Sequence, residues 1–176
     1  GDIYIKADVM EEVARMYGYD NFEATEFTTT FTDSINQKDK SLVRNIKEYL
    51  AIRCGMQEVY TYPWMNDVFV NAVLQSTDGV LKLSTPPAPD MSCIRSSLLP
   101  NLCEAVAKNE RYFNDFSIFE EAQVFFDKNY TNAYDETESL PEQRRHIGAA
   151  FASSVKDIGM LFREAKGVLE YMPRYT

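Results

Sequence analysis

The sequence predicts an α+β fold: an antiparallel sheet flanked by helices, packed on one side of it. Two observations carry this. Helix-period and strand-period stretches follow one another from residue 38 to the end, so both element types belong to one layered unit. The two most apolar strand patterns, "FSIFEEAQVFF" and "RRHIGAAFASS", flank a single polar stretch, which is the layout of a hairpin.

The elements are read in order. Asp8 followed by Glu11 has the spacing of a capping box. Val9, Val13, Met16 and Tyr17 then recur at helical spacing, and Gly18 suits the C-terminal cap. A helix of about ten residues is too short to stand alone in water. Residues 1–22 are therefore expected to be the last part of a small helical domain truncated in front of Gly1, with 23–37 a Thr-rich connector. Residues 38–176 form the main domain. It opens with an amphipathic helix through Leu42, Ile46, Tyr49, Leu50 and Cys54, closed by Gly55.

"QEVYTYP" then reads as a strand in which Val59 and Thr61 alternate with Tyr60 and Tyr62. A short helix over 66–74 and a strand "VLKL" come next. "STPPAPD" is a rigid loop, because its prolines exclude helix and ladder alike. Leu98, Leu102 and Val106 mark another helix, with Pro100 tolerated in its first turn. Residues 127–142 are acidic and poor in apolar residues, which predicts an exposed or disordered hairpin tip. The last helix turns Leu161, Ala165, Val168, Leu169 and Met172 inward and is stopped by Pro173.

Composition bounds the function. The 176 residues are 45% apolar and 26% charged, an ordinary soluble globular balance with no transmembrane-length run. Cys54, Cys93 and Cys103 are an odd count without CxxC spacing, which favours reduced thiols in a cytoplasmic protein. Cys54 and Cys103 are expected to be buried packing residues. The net charge of −9 argues against nonspecific nucleic-acid binding. Arg144, Arg145 and His146 are the one concentrated basic spot and read as a solvated strand entrance. His146 is the only histidine, so a Ser-His-Asp or Cys-His mechanism has no local motif to support it. The seven glycines are scattered and form no phosphate loop.

One chemical signal remains. Asp2, Asp8, Glu11 and Glu12 gather at the start of the chain, the last three at i, i+3 and i+4 on one helical turn. Hard oxygen ligands so placed suit Mg²⁺. The alternative is that Asp8 caps, Glu11 closes the box and Glu12 favours the helix dipole. From spacing alone, capping is the stronger reading.

Several stretches together resemble one family. "DIYIKADVMEEVARMYGYDNF", "CGMQEVYTY", "IRSSLLPNLCEAVAKN", "FSIFEEAQVF" and "EAKGVLEYM" stand in the order seen in the beta chain of bacterial phenylalanine–tRNA ligase. The resemblance implies a piece from the middle-to-late part of such a chain, carrying a truncated class II synthetase catalytic-like fold. It implies a structural, non-catalytic partner of an alpha subunit in the ATP-dependent charging of tRNA(Phe), within an alpha2-beta2 tetramer in the cytoplasm, off the membrane. ATP would be used by the complex and not bound by this stretch. No catalytic residue is expected here, because the strand "SIFEEAQVFF" lacks the arginine that class II catalysis sets on its motif-two strand. The helix over 38–54 and the strand after it resemble the motif-one unit. Glu121-Ala122 replace the family's usual apolar residue and glycine, and Pro63-Trp64 also depart from its pattern. The resemblance further implies that Asp2, Asp8, Glu11 and Glu12 hold a magnesium ion shared with the alpha subunit. Two alternatives are a stand-alone synthetase-like paralogue serving as a protein-interaction module and an independent acid-cluster metal enzyme.

Overall fold

A computed structural model of the chain describes residues 3–33, 35, 37–74, 78–131 and 139–175. The chain divides into two units, Gly1–Ile35 and Asn36–Thr176. The first holds helix α1 (Lys6–Tyr17), a 3₁₀ turn over Tyr19–Asn21 and an extended stretch beyond it. No described residue of α1 is buried, and Met10, Val13, Met16 and Tyr17 are exposed.

The second unit is built on a three-stranded sheet in the order β1–β4–β5. Strand β4 (Asp115–Thr131) pairs antiparallel with β5 (Ser139–Ser153), as the hairpin pattern predicts. The ladder runs further out than composition implies. Asn129, Tyr130 and Thr131 still pair with Pro141, Leu140 and Ser139, so both ends of the 127–142 segment are strand. Residues 132–138 of that segment lie outside the described residues. Strand β1 (Gln57–Glu58) pairs with β4 in parallel, which makes the sheet mixed. Parallel neighbours need a crossover connection, and the long path through residues 59–114 supplies it.

That path holds α3 (Asp67–Val73), a two-stranded ribbon of β2 (Trp64–Met65) with β3 (Cys93–Ile94), and α4 (Leu99–Asn109). Met65, Val70 and Cys93 form its own small core. The predicted strand "VLKL" makes only a bridge, Lys82 opposite Cys93, because the proline loop follows at once. Cys93 is the buried cysteine, whereas Cys54 and Cys103 are only half-buried.

Helices cover both faces of the sheet, not one. On one face, Phe119 packs with Tyr49, Leu50 and Met56, joined by Ile46 from α2 (Lys38–Glu48), Val168 from α5 (Ile158–Tyr171), Ile147 and Phe151. On the other, Ile118 and Val124 pack against Leu98 and Leu102, with Val106 of α4 and Ala150 of β5 alongside. The period-2 alternation of β4 sends Ile118 and Phe119 to opposite sides, and both are buried. Leu161, Ala165, Val168 and Met172 are half-buried as expected, but Leu169 is exposed. The inward stripe of α2 runs through Val43 and Ile46, with Leu42 turned out.

After Glu48 the helix widens into a single π turn, Tyr49–Arg53, that sets Tyr49 and Leu50 into the core. Gly55, at φ +68°, then takes the left-handed conformation that ends it. Burial pushes the Tyr49 phenol up to about 12, so the hydroxyl keeps the proton it donates to the Val168 carbonyl at 3.0 Å.

Gly148 on β5 is where α4 meets the sheet. A Cβ there would stand 2.8 Å from Leu102 Cδ1 and 3.2 Å from Leu98 Cβ, both on the buried face. Gly148→Val should therefore destabilise the chain by about 1–3 kcal/mol through overpacking. Urea unfolding checks this, and an unchanged midpoint would show that α4 can back away without cost.

Candidate functional site

Charge with structure around it lies at the acidic start of α1 and in the middle of the sheet. At α1 the N-cap is Ile5, so Asp8 is the third helical residue and not the cap itself. Its Oδ2 accepts the backbone N–H of Tyr4 at 2.6 Å and of Ile5 at 3.0 Å, closing the first turn from inside. These two bonds, Tyr4's first, hold the Asp8 carboxyl below its ordinary value of 3.8. Glu12 is turned to Arg15 in an ion pair one helical turn on. Glu11 lies on the same turn as Asp8, and Asp2 lies outside the described residues.

Among the described residues no three acidic, histidine or cysteine side chains converge as a metal site. The donor chemistry of Asp8, Glu11 and Glu12 suits a hard cation such as magnesium, but Asp8 has one oxygen committed to the backbone. Ligation here therefore needs donors from outside the described residues.

The sheet holds a different arrangement, which periodicity did not single out. Glu120, 1% exposed, stands on the α4 face of β4 between Ile118 and Ala122. Arg95, 7% exposed, meets it with Nη1 at 3.1 Å from Oε1. Thr61 donates its N–H to Oε1 at 3.0 Å, and its hydroxyl lies 2.8 Å from Oε2. Arg95 also donates through Nε to the Gln123 carbonyl at 2.7 Å. Its own backbone is clamped between Pro63 and Phe125 by two 2.8 Å bonds. Thr61 is thereby taken from the ladder, which explains why β1 ends at Glu58 and the predicted strand stops short. The available signal was a carboxylate at an apolar position of a period-2 strand.

On the opposite face Lys47 of α2 reaches Glu58 of β1 at 2.5 Å and Glu121 of β4 at 3.3 Å. Arg145 of β5 meets Glu121 at 3.1 Å. Burial alone would pull the Lys47 ammonium down, but the two carboxylates outweigh it and hold it above the usual lysine range. Four charges thus span one helix and three strands. Arg144, Arg145 and His146 lie exposed along β5, and Arg144 pairs with Glu142 at 2.6 Å. Lys47, Glu58, Arg95, Glu120, Glu121 and Arg145 are thus all paired within the protein. β4 carries two glutamates and no arginine at the level where these networks form.

A mixed sheet in which a long antiparallel hairpin takes a short parallel strand on one edge, with helices on both faces, is the fold this chain shares with class II aminoacyl-tRNA synthetases. A pyrrolysyl-tRNA synthetase from Desulfitobacterium hafniense matches it with a TM-score of 0.54 at 16% identity, covering 76% of this chain and 46% of that one. A Giardia lamblia prolyl-tRNA synthetase matches at 0.53 and 10% identity, over 76% of this chain and 28% of that one.

The family follows from sequence comparison. Residues 23–175 match the phenylalanyl tRNA synthetase beta chain CLM domain, and the chain belongs to that family. The phenylalanine–tRNA ligase beta subunit of Bacillus licheniformis is 34% identical over 152 residues, covering 85% of this chain and 18% of the relative. That of Carboxydothermus hydrogenoformans is 35% identical over 156 residues, 84% of this chain and again 18% of the relative. The chain spans under a fifth of the length of these relatives. No helix among the described residues is long and apolar enough to cross a membrane.

Two expectations follow from these sites. Arg95→Met leaves Glu120 buried and uncompensated, and should cost about 3–5 kcal/mol. Adding Glu120→Gln, whose amide still accepts from Thr61, should recover more than half of that in urea unfolding; a double variant no better than the single would show the pair is not coupled. At α1, the Asp8 bonds are fully present above its ordinary value and are lost as pH falls through the lowered one. The Tyr4 and Ile5 amide resonances should therefore titrate together with a midpoint below 3.8, and a midpoint at or above it would contradict the bonding.

Proposed function

We propose that this chain serves as part of the beta subunit of a phenylalanine–tRNA ligase, the non-catalytic partner of an alpha subunit in an alpha2-beta2 complex of the cytoplasm. In that complex the alpha subunit activates phenylalanine with ATP and transfers it to tRNA(Phe), while this stretch binds no ATP. The observation that carries the reading is the family match over residues 23–175, set beside a β4 strand without an arginine. Developing charge on ATP needs fixed cations aimed at it. Here Arg95 is committed to Glu120 and Arg145 to Glu121.

The same reading gives the acidic helix its role. Asp2, Asp8, Glu11 and Glu12 would contribute oxygens to a magnesium ion shared with the alpha subunit. Asp8 would ligate through the oxygen that does not hold the backbone, and Glu12 would exchange Arg15 for the cation. Bound there, the ion would neutralise carboxylates that otherwise repel one another across the junction.

The test is co-purification of the parent chain with a candidate alpha chain, with magnesium present and chelated. Capture of a phenylalanine-charging complex is expected, and Glu12→Ala should weaken association only when magnesium is present. Failure to associate would remove the ligase reading. Association that ignores both magnesium and Glu12 would remove the metal while leaving the subunit. The 176-residue chain alone should show no phenylalanine-dependent ATP–pyrophosphate exchange.

A further inference from the structure

We propose that residues 22–35 form a second contact with the alpha subunit, an acidic strand added to a basic sheet edge of that partner. The contact rests on the subunit reading above but not on the magnesium ion. Residues 23–33 belong to neither helix nor ladder, and among the described residues they make no hydrogen bond. Phe27 is 100% exposed, Phe31 96% and Ile35 87%. Large apolar side chains standing together in water mark a surface that another molecule covers.

The residues suit a strand. Thr28, Thr29, Thr30 and Thr32 are β-branched, and Phe27 and Phe31 share the same preference. Alternate residues of a strand share a face, so Phe27, Thr29, Phe31 and Ile35 fall on one side and Thr28, Thr30 and Thr32 on the other. Such a segment joins a free sheet edge through its backbone and selects that edge through pockets for alternate side chains. Charge decides which edge. No Lys or Arg occurs between Arg15 and Lys38, whereas Asp20, Glu23, Glu26 and Asp33 all fall there. Phosphate backbones and anionic lipids are repelled, and a second copy, at net charge −9, is opposed in the same way. A cationic protein edge is attracted. Position points to the alpha subunit. Phe22 packs edge-on against Tyr17 with ring centroids 5.3 Å apart, and its N–H donates to the Tyr19 carbonyl at 3.3 Å. The segment therefore leaves the end of α1 from a fixed point, beside the helix whose carboxylates meet that subunit in the reading above.

The test measures binding of the parent beta chain to a candidate alpha chain, with magnesium present. Replacing both rings, Phe27→Ser with Phe31→Ser, should weaken association about tenfold or more. Glu23→Gln with Glu26→Gln should flatten its salt dependence. Backbone amides of residues 25–33 should exchange fast in the parent chain alone and slow when the alpha chain is added. A wild-type parent that does not bind the alpha chain removes the subunit reading, and this contact with it. Binding that is equally tight in the double Ser variant overturns the contact and leaves the subunit reading standing. So does a salt dependence unchanged in the double Gln variant, or amide exchange at 25–33 that the alpha chain does not alter. A double Ser variant that melts lower as a free parent chain shows that the parent itself covers the rings. One that breaks a self-associated parent shows that a second copy does. Either result overturns the contact.

Discussion

The buried pair of Arg95 with Glu120 is the interaction on which the domain turns. A carboxylate at an apolar position of a central strand has no water to solvate it, so its partners must be brought in. Those partners come from two distant stretches, Thr61 and Arg95, and each carries its neighbours with it. Thr61 brings the segment after β1 across the sheet, and Arg95 brings the β2–β3 ribbon and the start of α4. A well-packed apolar substitute for the pair need not be less stable. What the pair adds is position, because its bonds are met at only one register of the three segments.

The rest of the packing follows from the same strand. β4 has β1 on one edge and β5 on the other and contributes to the core on both faces. On the α4 side the approach is close enough that β5 must present a glycine. On the α2 side Lys47 and Arg145 close over Glu58 and Glu121, so the face that carries the long helix is also held by charge. The π turn at the end of α2 belongs to this side. It lets an otherwise polar helix deliver Tyr49 and Leu50 to the core in its last turn.

A scaffold known from synthetases is thus filled with interactions that face inward. Lys47, Arg95 and Arg145 are paired with neighbouring glutamates, and the cost of burying charge goes to holding the domain together. The acidic helix α1 is the opposite case. None of its described carboxylates is buried, Asp8 is engaged in shaping the helix start and Glu12 in an ion pair with Arg15.

Much of this was legible in the residues alone. Helical periods located α1, α2, α4 and α5, the glycine at 55 and proline at 173 placed ends, and long ordered stretches gave the family. These are local properties, written within one or two turns of chain. Periodicity also marked the hairpin, although an acidic, polar stretch does not reveal that backbone pairing continues into both of its ends. What only the tertiary structure decided is pairing between distant segments. The parallel β1–β4 contact, the coverage of both faces, the loss of Thr61 from its strand and the Arg95–Glu120 bond all join residues tens of positions apart. Asp8 shows the same division on a small scale. Its place near the helix start was readable from spacing, but which backbone amides it binds depended on where the helix began. Sequence period states which side of an element is apolar. It does not state what that side will meet, because a contact is a property of two segments and the period belongs to one.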